Sequence, residues 1–122
     1  MHPTKRTRLS AAVWAVGFLI GTITHTIDLV AGGLNVYADF PEAVRWFWVS
    51  LTLIDPLVVA LVAFRSRAVV PVAVLVMVAD LAVNWGVFFV AGGLSVFGVV
   101  TQSLFGLFVF LTAKHMWVNH RR

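Results

Sequence analysis

Four segments of the sequence are almost entirely apolar, and each is as long as a helix must be to cross a bilayer. They cover residues 10–31, 45–64, 69–91 and 95–116. A helix needs about 20 mainly apolar residues to span the hydrocarbon core. The sequence therefore predicts an all-α membrane protein with four transmembrane helices, folded as a single integral membrane domain over residues 1–122.

The composition excludes a soluble domain of this size. Hydrophobic residues make up 61% of the chain and charged residues 11%, against roughly 45–50% and 25% in soluble domains. The net charge of +4 does not indicate nucleic-acid binding, because the basic residues form no continuous face. The chain has no cysteine, so disulfides, thiolate metal sites and cysteine nucleophiles are excluded. The partner that this composition indicates is the lipid bilayer.

The connections between the four segments predict how the helices are ordered. The longest is "GGLNVYADFPEA" after the first segment, and the next two are little more than "RSRA" and "AGGLS". Connections this short force each helix to run antiparallel to the next, which gives an up-down-up-down bundle.

The basic residues predict the orientation of this bundle. Arg45 is the one basic residue expected on the outer side. The other eight of the nine lie on the opposite side: Lys5, Arg6, Arg8, Arg65, Arg67, Lys114, Arg121 and Arg122. By the positive-inside rule, both termini are cytoplasmic. We expect a multi-pass protein of the plasma membrane, which in a prokaryote is the inner membrane. Tyr37, Trp46 and Trp48 near one face and Trp117 near the other are typical of aromatic belts.

Two local patterns add expectations about helix ends and faces. "VAGGLNV" at 30–36 recurs as "VAGGLSV" at 90–96. Paired glycines are good C-caps, so we expect both copies to end helices. The run "FGLFVFL" at 105–111 is expected to face lipid.

Three of the five acidic residues lie inside the predicted spans: Asp28, Asp55 and Asp80. One Asp at the middle of a bilayer costs about 2.5–3.5 kcal/mol on insertion scales. Three facing lipid would cost roughly 8–10 kcal/mol, which is comparable to the stability of a small domain. These side chains must therefore face one another, water or a partner, or carry a proton.

Helical spacing gives each helix one stripe of small and polar residues. Residues three or four apart share a helix face, so the stripes predict a bundle with a polar interior. Pro56 lacks the N–H that would bond the Thr52 carbonyl, which frees that oxygen as a potential ligand. The stripes are Gly17, Gly21, His25 and Asp28; Trp48, Thr52 and Asp55; Asp80 and Asn84; and Gly98, Gln102 and Gly106.

The depth of these residues predicts a pocket that opens outward. Asp55 and Asp80 fall near the middle of their spans, whereas Asp28 lies close to the outer end. The cytoplasmic half is nearly all apolar and is expected to close the pocket from below. The expected ligand-binding residues are His25, Asp28, Thr52, Asp55, Asp80, Asn84, Trp85 and Gln102.

The function we expect from this pocket is binding or translocation of a small polar or cationic ligand, with coupling to protons. Carboxylates inside membranes mark ion pathways and proton relays. Asp55 and Asp80 would carry the ion, with Asn84 and Gln102 orienting it. Four helices of this size seldom enclose a complete pathway, so translocation implies a homodimer or a larger membrane complex.

A membrane-embedded enzyme acting on a lipid-like or sterol-like substrate is the alternative. His25 would shuttle protons, while Asp28, Asp55 and Asp80 would stabilise a cationic intermediate. The layout, with acids and a histidine in the first two of four spans, resembles that of sterol isomerases. No residue-level motif matches, so the resemblance is one of layout and implies no catalytic residues. A third alternative is an accessory subunit whose polar stripes are completed by a larger partner.

The sequence identifies no cofactor. One imidazole with oxygen donors from His25, Asp28, Asp55 and Asp80 would suit Mn, Fe or Zn. However, "HTID" is not a metal-ligand motif, and a single buried histidine is more often a hydrogen-bonded structural residue. We therefore expect no metal.

Overall fold

Four α-helices account for most of the chain in the computed structural model, which describes residues 4–120. Each is long and apolar enough to cross a membrane, and no strand occurs among the described residues. The predicted all-α class and the four helical segments are therefore confirmed. Arg121 and Arg122, which contributed to the predicted orientation, lie outside the described residues. The helices are α1 (Lys5–Gly32), α2 (Glu42–Ala63), α3 (Val69–Val90) and α4 (Val96–Asn119).

Hydrogen-bonding caps and left-handed glycines set the ends of these helices. Thr4 accepts a hydrogen bond from the Thr7 backbone N–H at 3.2 Å, so α1 begins at Lys5, before the apolar segment starts. Gly33 ends α1 with φ 61°, and Gly92 follows α3 with φ 74°. Glycine adopts this left-handed region without steric cost. Both copies of the repeated motif therefore end helices, as expected.

Neighbouring helices are antiparallel. Trp14 Nε1, near the start of α1, donates to Thr112 Oγ1 near the end of α4 at 2.9 Å. Trp48 Nε1, near the start of α2, donates to Asn84 Oδ1 near the end of α3 at 2.8 Å. α1 packs against α2 and α4, and α3 packs against α2 and α4. The four helices thus form a ring in which the first and the last helix are neighbours.

The larger apolar core fills the end of the bundle where the chain begins. Its most buried members include Trp14 and Val109, both 0% exposed. The Phe105 ring packs edge-on against Phe18, with the ring centroids 5.3 Å apart. The expectation that the 105–111 run faces lipid is therefore wrong for Phe105 and Val109, which turn inward. It holds for Leu107 and Leu111, which are 52% and 74% exposed.

This end of the bundle also collects the basic residues. Thr7 Oγ1 lies 2.9 Å from His115 Nε2, which joins the start of α1 to the end of α4. Arg67, between α2 and α3, donates from Nη2 to the His120 carbonyl at 3.4 Å. The start of α1, the second connection and the end of α4 are thus adjacent.

Candidate functional site

A cleft of about 880 Å³ lies between α1 and α4 and is lined from behind by α2 and α3. Its walls are mainly apolar and include residues of the outer surface: Val16 is 56% exposed, Ile20 57% and Phe97 78%. Because such residues line it, the cleft opens sideways between the two helices, toward the apolar surface of the bundle.

The floor of the cleft is polar. Asp55 of α2, Asp80 and Asn84 of α3, and Gln102 of α4 all line it. The polar stripes of three helices thus converge at one place. Gly17, Gly21 and His25 of the α1 stripe line it as well.

Asp80 is held by two amides and is only 7% exposed. Gln102 Nε2 donates to Asp80 Oδ2 at 2.6 Å, and Asn84 Nδ2 donates to Asp80 Oδ1 at 3.3 Å. Asn84 Nδ2 also donates to Gln102 Oε1 at 2.6 Å, and Trp48 donates to the Asn84 oxygen. Buried polar groups need such partners to offset their lost hydration. Asp80 is therefore the centre of a satisfied network.

Asp55 has a different environment, although it is 4% exposed. Its carboxyl group lies against the backbone of Gly21, where a Cβ would come within 2.5 Å of Oδ2. It accepts no hydrogen bond from any described residue. It is close enough to Asp80 for the two carboxyl groups to interact electrostatically. A carboxyl group this buried must either carry a proton or have a compensating partner, because burial of an unpaired charge is costly.

No permanently charged cation among residues 4–120 lines the cleft. No lysine or arginine lines it, and its ionisable groups are His25, Asp55 and Asp80. Two neighbouring carboxyl groups in an apolar surrounding favour a bound cation or hydrogen-bond donor over an anion. The arrangement can therefore hold the polar head of a molecule whose apolar part contacts the walls.

His25 and Asp28 form a second polar group, through Tyr37. Tyr37 OH donates to Asp28 Oδ2 at 2.9 Å, and His25 Nδ1 lies 3.2 Å from the same hydroxyl. Because the Tyr37 proton is given to Asp28, the Nδ1–H of His25 is the donor in the second contact. His25 lines the cleft, whereas Asp28 is exposed and does not. Burial raises the pKa of the Tyr37 phenol, and the hydrogen bond to Asp28 raises it further.

Tyr37 belongs to this group although the sequence indicated only an aromatic-belt position for it. Its loop lies just beyond the end of α1, so the chain folds back by a few residues to reach His25 and Asp28.

Besides Asp28, two residues expected in the pocket do not line the cleft. Trp85 donates to Ser103 Oγ at 2.9 Å and its ring lies parallel to that of Phe89, away from the cleft. Thr52 is one turn from Asp55, and its buried hydroxyl has no hydrogen-bond partner among the described residues. Pro56 is inside α2, as expected.

The acids and the histidine do not meet as a metal site. Within residues 4–120, no three His, Cys, Asp or Glu side chains come close enough to hold a metal ion. Asp55 and Asp80 are at the floor of the cleft, and Asp28 lies outside its lining.

Comparison of the chain with protein-family models, with characterised proteins and with solved structures finds no match. The function must therefore be inferred from the geometry of the cleft.

Proposed function

We propose that this is a multi-pass plasma-membrane protein whose cleft binds an amphipathic, cationic ligand that enters sideways from the bilayer. The observation that carries the proposal is Asp55. Its carboxyl group is almost fully buried at the floor of an apolar cleft and accepts no hydrogen bond from a described residue. A cationic headgroup would supply the missing partner, since charge-assisted hydrogen bonds are among the strongest in proteins.

The shape of the cleft supports a ligand with an apolar part. Its walls come from apolar faces of α1 and α4 that include exposed side chains such as Ile20 and Phe97. Ligand sites are typically apolar, with a few polar groups that fix orientation. Here Asp55 and Asp80 would fix the headgroup of the ligand, and the walls of the cleft would contact its apolar part.

The geometry favours binding over translocation. The apolar core around Trp14 and Val109 fills the basic end of the bundle and leaves no polar route there. A single chain supplies the floor and both walls, so binding requires no second copy. With the basic end cytoplasmic by the positive-inside rule, His25 and Tyr37 would lie toward the outer face.

The proposal is tested with matched probes and variants. Dodecylammonium and dodecanol have the same chain and differ in headgroup charge. We expect the purified protein in uncharged detergent to bind the amine at least about tenfold more tightly than the alcohol, which corresponds to about 1.4 kcal/mol. Saturable shifts of the melting temperature would measure both affinities.

Asp55→Asn should remove this preference while the protein remains folded, because the carboxyl group makes no hydrogen bond that would be lost. Asp39→Asn, the same change in the connection after α1, should retain it. Asp80→Asn is a poor probe, because an amide keeps only one acceptor oxygen and would face either the Gln102 or the Asn84 N–H with a second N–H. Equal affinities for amine and alcohol, or an unchanged preference in Asp55→Asn, would contradict the proposal.

An enzyme that isomerises a lipid-like substrate is a second candidate, favoured by the His25–Tyr37–Asp28 contacts beside the cleft. With Nδ1–H bonded to Tyr37, Nε2 is the basic nitrogen of a neutral His25 ring. Moving a double bond requires protonation at one carbon and deprotonation at another, which transfers solvent hydrogen to carbon. Deuterium from heavy water should then enter a membrane lipid in the presence of the protein, but not of His25→Gln. Ligand binding without deuterium exchange would exclude isomerisation and leave ligand binding as the function.

A further inference from the structure

The two oxygens of the Asp55 carboxyl group are open to the cleft. Asp55 lines the cleft and is 4% exposed. The Thr52 hydroxyl, one turn away, is fully enclosed, whereas neither Asp55 oxygen is, although neither accepts a hydrogen bond from a described residue. A ligand at the floor of the cleft can therefore reach both of these acceptor atoms.

The amide donors at the floor are mostly committed to the network around Asp80. Asn84 uses both of its N–H groups, one for Asp80 Oδ1 at 3.3 Å and one for Gln102 Oε1 at 2.6 Å. Gln102 uses one of its two N–H groups for Asp80 Oδ2 at 2.6 Å. Its second N–H is the one amide donor that the network of described residues leaves over. Each Asp80 oxygen accepts one of these bonds and can accept another, because a carboxylate has about four acceptor sites.

The other polar groups of the lining add no donor beside Asp55. The hydroxyls of Thr24 and Thr101 donate to carbonyls in the preceding turn of their own helices, at 3.1 and 2.9 Å. Ser95 caps the first turn of α4 and is exposed. With its Nδ1–H bonded to Tyr37, a neutral His25 ring presents Nε2 as an acceptor. The floor of the cleft therefore offers more acceptors than donors.

The cleft lacks the aromatic cage that recognises a cation without N–H groups. Quaternary ammonium ions bind over the faces of Trp, Tyr or Phe rings. No Trp or Tyr among residues 4–120 lines the cleft, and its aromatic residues are Phe18, Phe97 and Phe105. Phe18 is 3% exposed and packs edge-on against Phe105, whereas Phe97 is 78% exposed in the first turn of α4. These rings do not form a cage at the floor.

We propose that the ligand of the cleft is a protonated amine, whose headgroup carries N–H, and not a quaternary ammonium compound. This inference rests on the proposed function and narrows its ligand class to amphipathic amines. An ammonium N–H would donate to an open oxygen of Asp55, and a second N–H would reach Asp80 where the headgroup has one. A quaternary group brings the same charge but places methyl groups against the carboxyl oxygens. Buried acceptors left without a donor are costly, so loss of N–H should lower the affinity at constant charge.

The test uses three probes that share the dodecyl chain and the positive charge. Dodecylammonium has three N–H groups, dodecyldimethylammonium has one, and dodecyltrimethylammonium has none. The last two differ by a single methyl group, so they are matched in size. We expect the tertiary amine to bind at least about tenfold more tightly than the quaternary ion, as for one charge-assisted hydrogen bond. Saturable shifts of the melting temperature of the purified protein in uncharged detergent measure the affinities, after correction for the partition of each probe into micelles.

Two matched variants assign the effect to the carboxyl group. Asp55→Asn should reduce the ratio of the tertiary to the quaternary affinity, because an amide oxygen forms a weaker bond with an ammonium group than a carboxylate does. Asp39→Asn, outside the cleft lining, should keep the wild-type ratio. The same ratio in Asp55→Asn as in the wild type would overturn the proposal.

The pattern across the probes separates hydrogen bonding from size. A larger loss of affinity between the primary and the tertiary amine than between the tertiary and the quaternary ion would overturn the proposal in favour of a steric limit. Equal or tighter binding of the quaternary ion would overturn it in favour of charge or ring faces alone. If all three cations bind better than dodecanol but equally well, this inference fails and the proposed function stands. If dodecanol binds as tightly as the cations, the proposed function itself fails.

Discussion

Asp55 and Asp80 lie on neighbouring helices and line the same cleft, yet their surroundings differ. Asp80 accepts two amide hydrogen bonds, whereas Asp55 lies against Gly21 and accepts none from a described residue. A buried acceptor without a donor costs about 1–3 kcal/mol. The sequence predicts that both are interior, because contact with lipid would cost more. It does not predict which one is bonded, since Gln102 comes from another helix and its rotamer depends on packing.

The same limit applies to Tyr37. Its position near a helix end is typical of an interfacial aromatic residue, and nothing in its local sequence indicates contacts with His25 and Asp28. Those contacts depend on how the connection after α1 folds back, which is decided by the turns that follow Gly33. His25 and Asp28 could be grouped from their spacing, whereas the residue that joins them could not.

Tyr37 allows a direct test of this group, because it is the one tyrosine in the chain. We expect its phenol to ionise well above the usual pKa of about 10, since burial and the Asp28 carboxylate both disfavour the phenolate. Ultraviolet absorbance of the phenolate measures this titration. Asp28→Asn should lower the midpoint toward the usual value, and Asp39→Asn should leave it unchanged.

The raised pKa of Tyr37 determines how the stability of the folded protein changes with pH. The folded state favours the neutral phenol, so the contribution of Tyr37 is fully present below about pH 10 and is lost as pH rises through the folded pKa. Wild-type protein with a Tyr37 midpoint at or below the usual value would show that the contact with Asp28 does not form.

At the scale of the helices, continuous apolar runs predicted the elements well and their faces poorly. The four helices lie within a few residues of the predicted segments, and the largest difference is the early start of α1 at the Thr4 cap. A helix that is apolar all round carries no period to distinguish the buried face from the lipid face. This is why Phe105 and Val109 turned inward without any signal in their run. The polar stripes, which do have a period, include the residues that line the floor of the cleft.

The contact of α1 with α4 predicts opposite effects for two glycines. A Cβ at Gly17 would overlap the ring of Phe105, whereas a Cβ at Gly86 in α3 would meet nothing within 4 Å. We expect Gly17→Ala to lower the free energy of unfolding by about 1–3 kcal/mol, as overpacking does. Gly86→Ala should leave it unchanged or raise it by up to about 1 kcal/mol, because alanine favours the helix.

Melting temperatures of the two variants in the same detergent make this comparison. Both variants carry the same chemical change in a helix interior, so the effect of the detergent and the gain in helix propensity are the same in both. Similar melting temperatures for the two variants would show that α1 and α4 do not approach at Gly17 as closely as described.

At the scale of the whole molecule, the cleft depends on the first and last helices being neighbours. Residues of the polar stripes of α2, α3 and α4 form its floor, whereas its lateral opening depends on the gap between α1 and α4. That gap follows from contacts such as Trp14 with Thr112, which join residues far apart in the sequence. No single segment carries this information, so a lateral opening between α1 and α4 could not be predicted from the sequence, and the outward opening stays a prediction.

The contacts of His25 with Tyr37 and of Arg67 with His120 lie toward opposite ends of the bundle, so the orientation of the chain decides which compartment each faces. Because the chain has no cysteine, single-cysteine variants report that orientation without background. We expect Asp39→Cys, in the connection after α1, to react with a membrane-impermeant maleimide in intact cells. Asn119→Cys, at the end of α4, should react only after the cells are permeabilised, because the basic end is expected to be cytoplasmic.

Three helices separate these two positions, so they must lie on opposite sides if α2, α3 and α4 all cross the membrane. Reaction of both variants in intact cells would contradict that number of crossings, and the reverse pattern would invert the orientation. With the expected pattern, His25 and Tyr37 lie toward the outside, while Arg65 and His120 face the cytoplasm. The proposed ligand of the cleft would enter from the bilayer itself in either orientation, because the gap between α1 and α4 is lateral.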